Sequence, residues 1–376
     1  MNGSPAPSGD RRFDAGDLVR AIGAIIAAGG STDAEAEHVA ASLVESNLQG
    51  HDSHGIGMVP RYVAAILAGG LVANRQPRIT VDLGALIAVD GQRGYGQVIG
   101  DAAMRLAISR ARALGSCVLA LSNAHHLGRI GQFAQLAVAE GLVSLHFVNV
   151  LSQPKVAAFG GTDARFGTNP CCIGIPLPAA PPLILDFATS VVAQGKMRVA
   201  HNKGETVTPG LLLDDAGQPT TDPRYAVVAP FGAILPFGGY KGYGLALACE
   251  LLGGALTGGG TELGPAPSGE AVINGMFTVL VDPGRLGTAD AFARDSAAFL
   301  EWLRASPLAA DVDRVRIPGE PERESRARRM VEGIPVDTAT WREIVAAAAR
   351  VGVAPETVEA LAHPGTHPHA PGYLPW

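Results

Sequence analysis

Two histidines, a carboxylate and a hydroxyl are crowded into five residues, His51-Asp52-Ser53-His54-Gly55, on a glycine-flanked turn just ahead of a helical pattern. Imidazole titrates close to neutral pH, so a histidine in such a cluster can both give and take a proton. The amino terminus of a helix adds positive potential. That field suits an anionic substrate and keeps the ring neutral until a carboxylate offsets it. His54 can thus serve as a proton donor near neutral pH; a lone loop histidine is usually structural or solvated, and the density of this cluster sets the functional reading level with that one.

Three further clusters have chemical potential. Ser122-Asn123-Ala124-His125-His126-Leu127-Gly128-Arg129 lies where a strand gives way to a helix, a common ligand position in α/β proteins, and Arg129 can fork onto a carboxylate. A capped turn with one buried and one exposed histidine is the alternative there. Phe166-Gly167-Thr168-Asn169-Pro170 precedes Leu185-Asp186-Phe187-Ala188-Thr189-Ser190 and Gly195-Lys196. Asp186 ends an apolar strand, where a carboxylate either serves the structure or orients a histidine. Gly238-Gly239-Tyr240-Lys241-Gly242 opens a helix, and small residues before a lysine can approach phosphate closely.

The elements that must position these groups fall into two kinds. Leu18, Ile22, Ile25 and Ile26 recur at helical spacing up to Gly29-Gly30, Thr32 with Glu35 reads as a capping box for a second helix to about Asn47, and Val59, Val63, Ile66 and Leu67 mark a third. His54 is thereby placed just before a helix. From about Arg78, short β-rich runs (79–83, 86–90, 117–121, 143–150, 183–186, 276–281) alternate with helical stretches (98–114, 130–140, 191–201, 241–256). Helix returns after about Ala289, with Thr340 and Glu343 capping a late amphipathic run. The expectation is an α/β (α+β) chain: a helical domain from both ends, 1–75 with 305–362, an α/β domain over 76–304 for cofactor and substrate, and a loose tail over 363–376.

Composition narrows the function classes. The 376 residues carry a net charge of -6 and no basic, aromatic-studded run, which disfavours nucleic acid. The amino-terminal stretch to Arg12 lacks the apolar core of a signal peptide, and the most apolar later stretch, 243–257, is short and carries Glu250, so a cytoplasmic protein without a membrane span is expected. Cys117, Cys171, Cys172 and Cys249 form no CxxC, in keeping with a reducing compartment. A metal-dependent hydrolase built on His51, His54, His125 and His126 is a rival reading, but no HExxH spacing supports it and no metal is expected. A metal site at His367-Pro368-His369 is disfavoured because a loose tail pre-organises nothing.

Gly94-Tyr95-Gly96-Gln97-Val98-Ile99-Gly100 follows a strand and opens a helix, as a dinucleotide-binding turn does. Its third glycine falls one position late, however, and the next strand ends near Ser122-Asn123 without the acidic residue that would hold a ribose. The loop reads instead as a tight strand-to-helix turn, so a nicotinamide here would not use the ordinary Rossmann fingerprint.

Taken together, Asp52-Ser53-His54-Gly55, His126-Leu127-Gly128, Gly167-Thr168-Asn169-Pro170, Asp186 to Ser190 with Gly195-Lys196, and Lys241-Gly242 leading to Glu250 resemble the type-2 malate/L-lactate dehydrogenase family, in family order over roughly 13–360. That group includes L-sulfolactate, ureidoglycolate and 2,3-diketogulonate oxidoreductases. Gly50 to Met58, His125-His126 and Gly128-Arg129-Ile130-Gly131 are most similar to its hydroxycarboxylate dehydrogenase B branch.

The resemblance implies a non-Rossmann, L-sulfolactate dehydrogenase-like fold with a mixed sheet covered by helices, a homodimer, NAD or NADP as cofactor, and reversible reduction of 2-oxo to 2-hydroxy acids. It assigns acid/base work to His54 with Asp186 as partner and puts His126 at the reaction centre. The cofactor lining would comprise His54, Gly128, Arg129, Ile130, Ile184, Leu185, Asp186, Phe187, Ala188, Tyr240, Lys241, Asn274, Gly319, Glu320, Pro321 and Glu322. Substrate would meet Arg129, Met58, Thr168 and Asn169. Many family members have arginine four residues after the motif histidine, where this chain has Met58. Arg129 or Arg61 is then left to hold a substrate carboxylate, and a larger or aromatic 2-oxo acid is expected. A cyclic imine acid reductase of the piperideine-2-carboxylate type is the near alternative, and a catalytically silent binding protein on the same fold a more distant one.

Overall fold

The computed structural model describes residues 10–178 and 180–362. They form two compact units, one built from residues up to Asn74 and from Glu322 onward, the other from Arg75 to Pro321. The tail from His363, with its His367 and His369, lies outside the described residues.

The first unit begins with three helices, α1 (Ala15–Ala28), α2 (Asp33–Leu48) and α3 (Val59–Leu67). The Asp14 carboxylate accepts the Gly16 and Asp17 amides at the start of α1, which satisfies donors that have no partner within the helix. Thr32 caps α2 by accepting the Glu35 amide, but the capping box closes only halfway. The Glu35 carboxylate turns instead to the Ser31 hydroxyl and the Asn74 amide. Leu18, Ile22, Ile25 and Ile26 are all buried, as their helical spacing requires.

The second unit is organised by a seven-stranded sheet. Its strands are β1 (Arg78–Asp82), β2 (Leu86–Asp90), β3 (Ser116–His125), β4 (Val143–Leu151), β5 (Cys171–Ile175), β6 (Leu183–Phe187) and β7 (Ile273–Val281). They lie in the order β1-β2-β3-β7-β4-β5-β6, and only β2 and β3 run parallel. A sheet so dominated by antiparallel pairs is not the doubly wound parallel sheet of dinucleotide-binding folds. Short strands at 156–157, 164–166, 212–213, 219–220 and 233–234 make a second, five-stranded sheet.

Five helices belong to this unit: α4 (Gly96–Leu114), α5 (Gly131–Ala139), α6 (Gln194–Lys203), α7 (Tyr240–Cys249) and α8 (Ala289–Arg304). Ile99, Ala103, Met104, Ala107, Ile108 and Ala111 of α4 recur at helical spacing and pack in one core with Cys117, Leu119 and Leu121, the inward residues of β3. A π-helical stretch, Glu250–Leu256, prolongs α7.

The chain then re-enters the first unit within α9 (Glu320–Glu332) and continues through α10 (Thr338–Arg350) and α11 (Pro355–Ala362). A two-stranded pairing of Arg11–Phe13 with Ile334–Val336 ties its two chain segments together, and Phe13 packs on Trp341 with ring centroids 4.4 Å apart. The cap of α10 differs from expectation. Asp337, not Thr340, is the N-cap, and its carboxylate accepts the Thr340 amide at 2.9 Å, so the helix begins earlier than the Thr340/Glu343 spacing suggested.

No helix among the described residues is long and apolar enough to cross a membrane.

Candidate active site

The residues expected to form the acid/base pair fall in different units, His54 in the first and Asp186 in the second. His54 closes a 3-10 turn, Asp52–His54, followed by a second, Ile56–Met58, before α3 begins at Val59. Its ring is half-buried, with Nδ1 3.1 Å from the Ser53 hydroxyl. Met58 is half-buried on the second turn, and Arg61 is exposed on α3. Asp52 is turned away from any role as a free base: Arg329 Nη1 and Nη2 donate to its two oxygens at 2.6 and 3.0 Å. His51 Nε2 lies 3.4 Å from Glu322 Oε1. His51 and Glu322 therefore pair with each other in the first unit.

In the second unit the two adjacent histidines separate sharply. His125 is fully buried at the end of β3, and its Nε2 accepts the Val272 amide at 3.3 Å, which puts the ring proton on Nδ1. His126 is half-buried at the mouth of the same turn. The turn itself is held by Asn274, whose Oδ1 accepts the Leu127 amide at 2.8 Å while its Nδ2 donates to the Asn149 carbonyl at 2.9 Å. Asn274 thus supports the His126 turn from inside, at 2% exposure.

The loop Gly94 to Gly100 meets this turn from the other side. A Cβ on Gly96 would come within 2.3 Å of the His125 and His126 carbonyl oxygens, and one on Gly100 within 2.4 Å of the Phe133 ring. These glycines allow helix and turn to touch.

Arg129, Gly131 and Asp186 converge at the start of α5. Gly131 N–H donates to Asp186 Oδ2 at 2.7 Å, a carboxylate placed at a helix amino terminus where the dipole favours it. A Cβ on Gly131 would meet Arg129 Nη1 at 2.3 Å and Asp186 Oδ2 at 3.0 Å, so guanidinium and carboxylate both crowd this point. Arg129 is 3% exposed and its Nη2 donates to Gln135 Oε1 at 2.5 Å. β6, which carries Ile184 to Phe187, is the edge strand of the sheet, and the Ile184 amide donates to the Pro318 carbonyl, bringing Gly319 and Glu320 alongside it. Glu320 is itself held by Arg304 at 2.7 Å and by the Ile317 amide at 2.9 Å.

Asn169 is sealed in the protein. Its Oδ1 accepts the Val150 amide at 3.1 Å, and its Nδ2 donates to Glu250 Oε2 at 2.8 Å and to the Ala246 carbonyl at 3.3 Å. Every polar atom of the amide is in use, at 0% exposure. Thr168 is half-buried, and its carbonyl accepts both the amide and the hydroxyl of Thr189. Phe187 and Phe237 then meet edge to face at 5.6 Å, which joins the end of β6 to the segment leading into α7.

There Gly238 and Gly239 both have positive φ, 56° and 62°, and a Cβ on Gly238 would meet nothing nearer than Lys241 Cβ at 4.0 Å. The backbone is open at Gly238, beside the exposed Tyr240 and Lys241, while a Cβ on Gly239 would meet the Phe159 ring at 3.3 Å.

Several positioning residues escaped the sequence reading: Asn47 and Arg329 around His54, and Asn149 behind Asn274. Among the described residues, no three His, Cys, Asp or Glu side chains gather as a metal site would require.

The mixed sheet and its flanking helices define a sulfolactate dehydrogenase-like fold. The solved sulfolactate dehydrogenase of Methanocaldococcus jannaschii aligns with a TM-score of 0.81 at 30% identity, covering 92% of this chain and 99% of that one. A solved Escherichia coli structure aligns at 0.90 and 44% identity over 93% of this chain and 98% of its own. The chain belongs to the malate/L-lactate dehydrogenase family, whose model matches residues 13–345. It is an oxidoreductase, a dehydrogenase of 2-hydroxy carboxylic acids. Among its relatives, hydroxycarboxylate dehydrogenase B of Escherichia coli O157:H7 is 45% identical over 354 residues, 93% of this chain and 97% of the relative.

Proposed function

We propose that the protein interconverts 2-oxo and 2-hydroxy acids with NADH or NADPH, that His54 is the acid/base, and that the preferred acids are bulky or aromatic. The observation that carries this reading is the half-buried His54 on a turn anchored through Asp52. Bound nicotinamide supplies or takes up the hydride. The chain's own groups do the remainder: in reduction, protonated His54 gives its proton to the substrate oxygen as the carbonyl carbon gains the hydride, and in oxidation neutral His54 takes it back.

In this reading Asp186 keeps the partner role that the family resemblance implies, and His126 lines the reacting centre. The edge strand Ile184 to Ala188, the Gly128–Ile130 turn, Gly319 and the backbone at Gly238–Gly239 with Tyr240 and Lys241 hold the cofactor. Asn274 and Asn169 act by holding these pieces in place. Arg129 is too enclosed to reach far toward a ligand, which favours the exposed Arg61 as the group that meets the substrate carboxylate. Met58, where an arginine would select a second carboxylate, favours an apolar substituent.

A homodimer is supported by the row of exposed apolar side chains Tyr240, Leu247, Leu251 and Leu256 along α7 and its extension. A cytoplasmic setting is supported by four free, buried cysteines.

The test is a panel of pyruvate, oxaloacetate, phenylpyruvate and piperideine-2-carboxylate, assayed with NADH and with NADPH. Phenylpyruvate is expected to give the highest kcat/KM. Faster turnover of the cyclic imine, or no cofactor oxidation with any 2-oxo acid, overturns the proposal.

A further inference from the structure

We propose that Asn47 and Arg329 are positioning residues for His54: they clasp the Asp52–His54 turn and set the proton affinity of its imidazole. The inference rests on the assignment of His54 as the acid/base and deepens it.

A three-residue 3-10 turn has little rigidity of its own. Two backbone bonds close it, from the His54 amide to the His51 carbonyl at 2.9 Å and from the Gly55 amide to the Asp52 carbonyl at 3.2 Å. Precise placement of a proton-transfer group must then come from outside the turn.

Asn47, in the last turn of α2, supplies part of it. Its Nδ2 donates to Asp52 Oδ1 at 2.7 Å and its Oδ1 accepts the Ile56 amide at 2.8 Å, so one side chain grips the chain two residues before His54 and two residues after it. The grip is close enough that a Cβ on Gly55 would lie 2.1 Å from Asn47 Oδ1. The glycine after the histidine is there to let Asn47 in.

Arg329, from α9, completes the clasp. It forks onto both oxygens of Asp52, and its Nη1 also donates to the Asn47 carbonyl at 2.5 Å. A planar guanidinium fits this bidentate geometry as an ammonium cannot.

Charge makes the clasp more than a brace. Two carboxylates of or beside the turn each have a cationic or ionisable neighbour: Asp52 has Arg329, and Glu322 of α9 has His51. With Arg329 in place, the negative charge two residues from His54 is offset. Without it, Asp52 favours the imidazolium; without Asp52, the guanidinium disfavours it.

The experiment measures pH profiles of kcat/KM for 2-oxo acid reduction in Arg329→Met, Asp52→Asn, Arg329→Lys, Arg326→Met and His54→Ala, with thermal melts to normalise for folded protein. Reduction needs protonated His54, so activity falls on the alkaline limb. In Arg329→Met that limb should move up by about 0.5 pH, and in Asp52→Asn down by a similar amount, modest because Asp52 is half-exposed. Both should lower kcat about 10-fold or more while leaving KM for the nicotinamide unchanged. Arg329→Lys should return the limb to its wild-type position and recover kcat only in part. Arg326→Met breaks an ion pair on the same helix away from the turn and should leave limb and kcat alone.

Limbs that stay at the wild-type position in both Arg329→Met and Asp52→Asn overturn the clasp, as does a loss of rate that only follows the loss of folded protein. Full activity in His54→Ala overturns the acid/base assignment itself. An inactive His54→Ala with unmoved limbs in the other variants overturns the clasp alone.

Discussion

Around His54 a partly exposed ion pair, Arg329 on Asp52, works beside the Asn47 amide, whereas Asn149, Asn169 and Asn274 hold the corner of the α/β unit with buried neutral amides. The contrast follows from what each region has to do. Amides buried with every partner satisfied keep a shape at any pH, but fail badly when one member is lost. Ion pairs near solvent contribute less to stability and respond to salt and pH, which suits the neighbourhood of a group proposed to change its own charge.

The largest stability effect is expected at Asn169. Replacing it with Leu leaves Glu250 Oε2 and the Val150 amide without their partner inside the protein, at an expected cost of roughly 2–4 kcal/mol in urea unfolding. The loss should be the same at low and high salt. A loss that fades with salt would make this corner electrostatic, like the His54 turn, and erase the contrast.

Gly96→Ala comes next. Its new methyl meets two backbone carbonyls, so about 1–3 kcal/mol of overpacking is expected, with cofactor affinity falling only as the His126 turn shifts. Weakened nicotinamide binding at unchanged stability would instead make Gly94 to Gly100 a cofactor loop.

The smallest effect concerns Glu262, a carboxyl at the edge of the amide corner. Burial pushes its pKa up to about 7, with the Glu250 carboxylate adding to the rise and the Ser152 amide opposing it. The native state thus binds this proton more tightly than the unfolded chain, whose carboxyl titrates near 4.5. Stability from this group is present below about 4.5 and is lost as pH rises through about 7. Glu262→Gln should melt like the parent at pH 4 and about 1–3 °C higher at pH 8. Equal melting temperatures at both values would show that the corner accepts charge freely.

Much of the architecture was legible because periodicity reports burial. The buried stripes of α1 and α4 and the alternation of β3 are plain in the sequence. β5 was not legible: Cys171–Ile175 is short, lies between Pro170 and Pro176, includes Gly174 and shows no clean alternation. α9 escaped for the opposite reason. It is a charged helix with only Ser325 buried, so no apolar face announces it, and with it went Arg329.

The site was legible as a set of motifs and not as roles. The family resemblance implied Asn169 as a substrate contact; the bonds of its amide to Val150, Ala246 and Glu250 leave no mark in the motif. The grip of Asn47 depends on hydrogen bonds that bend the chain back on itself, and Arg329 reaches Asp52 across 277 residues of sequence. Neither relation leaves a local signal.

The most direct test of the account is single-turnover reduction of phenylpyruvate by His54→Ala, with nicotinamide affinity measured on the same protein. Loss of roughly 10²- to 10⁴-fold in rate at nearly unchanged cofactor affinity is the predicted result. Wild-type turnover without the imidazole would contradict it.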